Sequence, residues 1–185
     1  MDAIDERKHE LFLVLRAQVG EIVAFDELFL TVQSRFFRYI RHLVADRELA
    51  EDILQEVFLI IYRKIKWLDD PKLFRPWAYR IASRECYRHL KKPRPGHSTN
   101  IEVLAALPAD ELDEPFDREL VGQVPELVAR LSPESRAAIV LHYLDEFSLR
   151  ETAEILDISV GTAKSRVAYG LKVLRKIVGQ RVYER

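Results

Sequence analysis

The sequence predicts an all-α protein built as two small helical domains joined by an acidic linker, and three observations predict it. From Leu11 to about Lys92 the apolar residues recur at helical spacing, with glycine almost absent and no strand-like alternation of any length. The segment from Pro93 to Thr99 then breaks the pattern and leads into a stretch carrying Glu102, Asp110, Glu111, Asp113, Glu114, Asp117 and Glu119. Helical periodicity resumes near Arg118 and continues to the end. The expected boundaries are residues 1–92, 93–118 and 119–185.

Composition agrees with packed helices. The 185 residues are 48% hydrophobic and 32% charged, far from the profile of a disordered chain. The formal net charge of −1 argues against a polyanionic partner only on average, because the charge is unevenly distributed. A single cysteine, Cys86, excludes an intramolecular disulfide framework and a multi-cysteine metal cluster, and fits a reducing, cytoplasmic setting. Acidic residues precede the short apolar run Leu11–Leu15 and no small-residue cleavage site follows it, which argues against a signal peptide. Nothing approaches the roughly 18 consecutive apolar residues of a membrane span, so no membrane insertion is expected.

The first helix is expected from His9 to about Glu21 and the second from Phe25 to Val44, where Leu28, Phe29, Val32, Phe36, Ile40 and Leu43 share a face. Asp46 is placed to cap a third helix running to about Lys66, with Glu48 and Glu51 in its first turn where negative charge suits the helix dipole. Its core stripe is Leu49, Ile53, Val57, Ile60 and Ile61. The segment Trp67–Pro71 interrupts, and Pro76 suits the first turn of a fourth helix that extends to about Lys92. In the linker a short helical turn is expected near Ile101–Leu107.

Three capped helix starts follow. Ser132, Pro133 and Glu134 supply a cap, a proline at the first helical position and an acid in the first turn. Ser148 and Glu151 have capping-box spacing, and Ser159 can cap the last helix. Only Leu156, Asp157 and Ile158 separate the second helix from the third, which is the helix-turn-helix arrangement. In the last helix Ala163, Val167, Leu171, Leu174 and Val178 form a buried stripe. Thr162, Lys164, Ser165, Arg166, Tyr169 and Lys172 then face outward, as groups able to read base edges or hold phosphates. An ordinary helical hairpin with a solvated charged face has the same pattern.

The fourth helix carries Arg80, Arg84 and Arg88 at i, i+4 and i+8, with Lys91 and Lys92 behind them. Each like-charge pair at that spacing costs an isolated helix roughly 0.2–0.5 kcal/mol, so the run calls for interleaved acidic partners or an external polyanion. Trp77, Tyr79, Tyr87 and His89 are interspersed, and aromatic faces stack on unpaired bases. Salt bridges to Asp69, Asp70 or Glu85 are the alternative use of these arginines. Asp52, Gln55 and Phe58 recur every three residues along one drifting stripe of the third helix. His89, His142 and Cys86 lack metal-ligand spacing and no phosphate-binding glycine loop is present, so neither catalytic residues nor a metal or cofactor is expected.

Three of these stretches resemble one family. The run from Leu131 to Arg136 and from Phe147 to Arg166 closely resembles region 4 of the sigma-70 family, which reads the −35 promoter element. Glu51–Phe58 resembles region 2.2, and Phe74–Ala82 resembles regions 2.3 and 2.4, which melt and read the −10 element. The resemblance, to the small extracytoplasmic-function (ECF) subfamily, implies an RNA polymerase sigma factor rather than an enzyme. It implies a region 2 helical bundle and a region 4 helix-turn-helix as the two domains. The implied partners are core RNA polymerase (β′ clamp and β subunits), promoter DNA and an anti-sigma factor. It implies −35 contacts from Ser159, Gly161, Thr162, Lys164, Ser165, Arg166 and Tyr169, and −10 contacts from Trp77, Arg80, Arg84, Tyr87, Arg88 and Lys91. Asp52, Gln55, Glu56 and Phe58 would bind polymerase. Asp157 stands where relatives usually have glycine, and Arg84 where an asparagine is frequent. A stand-alone LuxR-like helix-turn-helix regulator is the second reading; it leaves the third and fourth helices unexplained.

Overall fold

A computed structural model of the chain describes residues 3–91 and 125–183, with side chains over 5–91 and 127–179. Every regular element among these residues is helical. The chain divides into two compact units, Met1–Leu90 and Lys91–Arg185. The expected linker and the helical turn near 101–107 lie outside the described residues.

In the first unit, α1 (Ala3–Gln18) begins earlier than its apolar pattern, and Gly20 at φ 92° turns the chain into α2 (Ile22–Val44). The α2 stripe is buried as its periodicity requires, except that Phe29 is half-buried. α2 ends on Ala45, left-handed at φ 60°, whose N–H donates to the Arg41 carbonyl. The Asp46 carboxylate then accepts from the Leu49 N–H at 3.0 Å and starts α3 (Arg47–Lys64).

The buried face of α3 is Leu49, Ala50, Ile53, Val57, Phe58 and Ile61; Ile60, expected in the core, is half-exposed. Two 3₁₀ turns, Ile65–Trp67 and Pro71–Leu73, lead into α4 (Phe74–Leu90), with Pro76 in the first turn, where no N–H is needed. Ala78, Ala82 and Ser83 on its inner face let α4 approach the core closely.

An aromatic cluster fixes the packing of α2, α3 and α4. Phe29 meets Phe58 edge-on at 4.2 Å, Phe36 lies 4.6 Å from Tyr79, and Tyr39 lies 5.0 Å from Tyr79. The Ser83 hydroxyl donates to the Tyr79 carbonyl at 2.8 Å, so in the 2.7 Å contact between the Tyr39 and Ser83 hydroxyls Tyr39 is the donor. At the rim, Arg75 makes a forked pair with Glu10 at 2.8–3.0 Å and ties α4 to α1.

In the second unit, α5 (Pro125–Val128) precedes α6 (Pro133–Ile139), whose cap Ser132 accepts from the Ser135 N–H. The Arg136 guanidinium donates to the carbonyls of Val128, Ala129 and Leu131, satisfying the end of α5. A π turn over Val140–Leu144 continues α6, then α7 (Leu149–Leu156) and α8 (Val160–Tyr183) follow. Ala163, Val167, Leu171 and Leu174 enter the core as expected, while Val178 stays half-buried. Gly170 is a close approach: a Cβ there would stand 2.8 Å from Ile139 Cγ1.

Candidate nucleic-acid interface

The turn from α7 to α8 is held by local chemistry at both ends. Ser148 Oγ accepts from the Glu151 N–H at 3.2 Å while the Glu151 carboxylate accepts from the Ser148 N–H at 2.8 Å, a complete capping box. α7 stops at Asp157, left-handed at φ 58° and ψ 48°, with the Ile158 N–H returning to the Ala153 carbonyl at 3.0 Å. Aspartate is one of the few non-glycine residues that adopts this conformation readily, so the turn forms without glycine. Ser159 Oγ accepts from the Thr162 N–H at 3.0 Å and starts α8.

The front of α8 is thereby presented to solvent. Ser159, Gly161 and Thr162 are exposed; Lys164, Ser165, Arg166 and Tyr169 are half-buried along the helix flank. The Ser159 and Thr162 hydroxyls lie 2.8 Å apart and the Ser165 hydroxyl donates to the Gly161 carbonyl, so these three spend part of their capacity inside the helix start. Lys164 and Arg166 are the long cationic groups of this surface. Sequence reasoning missed Val160, 49% exposed in the first turn, an apolar group of the kind that meets a thymine methyl. Its apolar character points inward on periodicity, which is why pattern alone passes over it.

On α4, Trp77, Arg80, Arg84 and Tyr87 follow one another at i, i+3, i+7 and i+10, a single stripe down the helix, with Lys91 in the turn just past its end. Arg84 and Lys91 are exposed and Trp77, Arg80 and Tyr87 half-buried. Arg88 lies to one side of that stripe. Its guanidinium sits 2.5 Å from both Glu56 of α3 and Glu85 of α4, so here the like-charge run finds internal acidic partners.

On α3, Asp52 and Gln55 are exposed, whereas Glu56 is half-buried and engaged with Arg88 and His89. Phe58 requires a correction: it is 6% exposed and packed between Phe29 and Phe36, so it is a core residue and not a surface for a partner. Its i+3 spacing from Gln55 carries it past the edge of the exposed face. The apolar residues that do stand outside are Leu59 and Tyr62, 55% and 51% exposed, which continue the Asp52 and Gln55 stripe at i+7 and i+10. Trp67, with Lys66 Nζ 4.4 Å from its ring centre, is a further exposed aromatic that sequence reasoning missed.

Residues 28–95 match the family model described as Sigma-70 region 2, and residues 122–174 match Sigma-70, region 4. Together they define a sigma-70 type of transcription initiation factor. The chain is 30% identical over 177 residues to the ECF RNA polymerase sigma factor SigW of Bacillus subtilis, covering 88% of this chain and 93% of that protein. It is 28% identical over 175 residues to the ECF RNA polymerase sigma-E factor of Escherichia coli K12, covering 89% and 91%. The chain belongs to the ECF RNA polymerase sigma factors. Its fold is shared with the solved structure of CnrH in complex with the cytosolic domain of CnrY, at TM-score 0.69 and 20% identity over 93% of this chain and 98% of that one. The sigma factor RpoE of Bartonella quintana, solved with the anti-sigma factor NepR, gives TM-score 0.65 and 24% identity over 84% and 96%. Among the described residues no helix is long and apolar enough to cross a membrane.

Proposed function

We propose that this sigma factor docks on the β′ clamp of core RNA polymerase through the α3 stripe, with Asp52 and Gln55 as its polar contacts, and directs the enzyme to promoters in the cytoplasm. α8 reads duplex −35 DNA through Lys164 and Arg166, with Ser159, Gly161, Thr162, Ser165 and Tyr169 positioning its front against the groove. The stripe of Trp77, Arg80, Arg84 and Tyr87 on α4, with Lys91 just past its end, captures the −10 strand, aromatics stacking on bases and cations following the phosphates. Residues 93–118 act as the acidic connector between the two DNA-reading domains, 1–92 and 119–185, along a path built for nucleic acid. An anti-sigma factor holds the protein inactive. The observation that carries this reading is the presence in one chain of a capped helix-turn-helix and a separate helix with a basic aromatic stripe. The LuxR-like alternative accounts for the first of these alone.

Run-off transcription with purified core polymerase on a library of promoter sequences tests the reading directly. Specific products are expected, and no product above core alone overturns it. Arg166→Ala is expected to weaken promoter binding without weakening polymerase association, and Gln55→Ala to do the reverse. Promoter-directed transcription unchanged by both substitutions would remove the residue assignments.

A further inference from the structure

At the front of α8 stands a side chain to which the promoter reading gives no role. Val160, in the first turn, is 49% exposed, and among the described residues of the second unit it is the one large apolar side chain that stands exposed. A single apolar residue on a surface needs no special cause. This one is set apart by its surroundings. α8 gives Ala163, Val167, Leu171 and Leu174 to the core of the unit and leaves Val160 out. Its neighbours Ser159, Gly161 and Thr162 are exposed as well, and together they make the turn that a helix-turn-helix presents to base edges in the major groove.

The chemistry of this turn limits what it can recognise. Its hydroxyls are engaged inside the helix start: Ser159 Oγ accepts from the Thr162 N–H at 3.0 Å and lies 2.8 Å from Thr162 Oγ1, and Ser165 Oγ donates to the Gly161 carbonyl at 3.0 Å. An isopropyl group and a glycine are then the parts of the turn most open to a base edge. The fold itself gives no reason for that glycine. Gly161 has no left-handed backbone, and a Cβ there would meet only Ser159 Oγ, at the ordinary contact distance of 3.8 Å. Alanine is the better helix former at such a place. The bare backbone leaves room on the outside of the turn, as the close approach of a nucleic-acid surface requires.

We propose that Val160 reads the 5-methyl group of a thymine in the −35 duplex, and that Gly161 is kept free of a side chain so that the base edge can reach it. The proposal rests on the assignment of α8 to that duplex. The thymine methyl is the apolar group that a base pair presents in the major groove, so an apolar side chain at the front of the helix selects an A·T pair over a G·C pair. Lys164 and Arg166 bring charge, and their share of the affinity falls as salt rises; the share of Val160 does not. Promoters of this factor then carry a thymine in the −35 element at the pair facing the start of α8.

The test measures binding of the holoenzyme, assembled from the full chain and core polymerase, to the strongest promoter duplex that run-off transcription selects. Each −35 thymine is replaced in turn by uracil, which removes the methyl and keeps the base pair. At one position the replacement should weaken wild-type binding about fourfold, the effect of one buried methyl group, and should have no effect in Val160→Ala. Val160→Ile should keep the discrimination, and Arg166→Ala should weaken binding to the thymine and uracil duplexes alike. The dependence of affinity on salt should be unchanged in Val160→Ala and shallower in Arg166→Ala. Gly161→Ala should melt no lower than the wild type yet bind the duplex several-fold more weakly, a combination that a purely structural glycine would not produce. A −35 element without thymine, or one that tolerates uracil at every position, overturns the proposal and leaves the promoter reading intact. So does a uracil effect that persists in Val160→Ala, or a Gly161→Ala variant that binds as tightly as the wild type. Failure to select any duplex overturns both.

Discussion

Gly170→Ala and Gly179→Ala are the same substitution on the same helix and are expected to have opposite effects. Replacing glycine by alanine inside a helix ordinarily stabilises by about 0.5–1 kcal/mol, because the unfolded chain loses freedom and the folded helix does not. At Gly179 a Cβ meets nothing within 4 Å, so this gain is expected in part, reduced by the nearness of the helix end. At Gly170 the new carbon would stand 2.8 Å from Ile139 Cγ1, 3.2 Å from its Cδ1 and 3.6 Å from Leu131 Cδ1. Ile139 is fully buried and cannot turn away without disturbing α6, and overpacking of this kind costs about 1–3 kcal/mol. Subtracting the propensity gain leaves a net destabilisation of up to about 2 kcal/mol, several degrees in the unfolding temperature of a domain this size. Thermal unfolding of the full chain, followed by hydrogen exchange at amides of α6 and α8, reads this out. Gly170→Ala with stability equal to or above the wild type would show that the α6–α8 contact is loose, and would remove the steric account of why glycine stands in α8.

One substitution and one chemical probe address the first unit. Arg75→Gln leaves the Glu10 carboxylate, 7% exposed, without its forked partner; since Arg75 itself is partly exposed, a loss of about 2–3 kcal/mol is expected in urea unfolding, below the roughly 3–5 of a fully buried pair. A loss under half a kcal/mol would mean that α1 is not held to α4 by this pair. Burial pushes the Cys86 thiol well above its ordinary range, and the side chain lies inside the α4 face of the core. Its modification by a thiol reagent at pH 8 should therefore be slower than that of a free cysteine by orders of magnitude and should accelerate with denaturant. Rapid labelling of the native protein would contradict the packing of α4.

The helices were legible because glycine is scarce and apolar spacing is regular, and the caps at Asp46, Ser132, Ser148 and Ser159 were legible because their oxygens act on backbone donors three residues away. What the sequence concealed depends on contacts between elements. Ile60 and Phe58 are neighbours in apolar character, and which of them enters the core depends on where Phe29 and Phe36 of α2 stand. The π turn after Ile139 leaves no local signature in the run Val140–Leu144. Arg88 reads as part of a repelling cationic series until α3 is brought alongside, when Glu56 becomes its partner. In the helix-turn-helix, by contrast, the determining interactions are all local, so the three caps and the short turn were legible, and the resemblance set Asp157 where relatives usually have glycine. The α3 stripe was half legible: Asp52 and Gln55 stand out, but Leu59 and Tyr62 join it only once the helix's rotation is known.

That rotation is set by the aromatic cluster, and Phe58 is the residue at which core and surface arguments can be separated. The ring of Phe58 fills the space between Phe29 and Phe36, with α4 held on the other side by Phe36 and Tyr79. Phe58→Ala should cost about 3–5 kcal/mol through lost burial and the cavity left behind. It should loosen the angular relation of α3 to α4, so that polymerase association and capture of the −10 strand weaken together. Gln55→Ala, on the exposed side of the same helix, should impair polymerase association with an unchanged melting temperature. The measurement that separates the two roles is the melting temperature set beside the affinity for core polymerase. If Phe58→Ala reduced that affinity while the protein melted as before, the ring would have to reach the partner in the complex, and its buried position in the free chain would be one of two states.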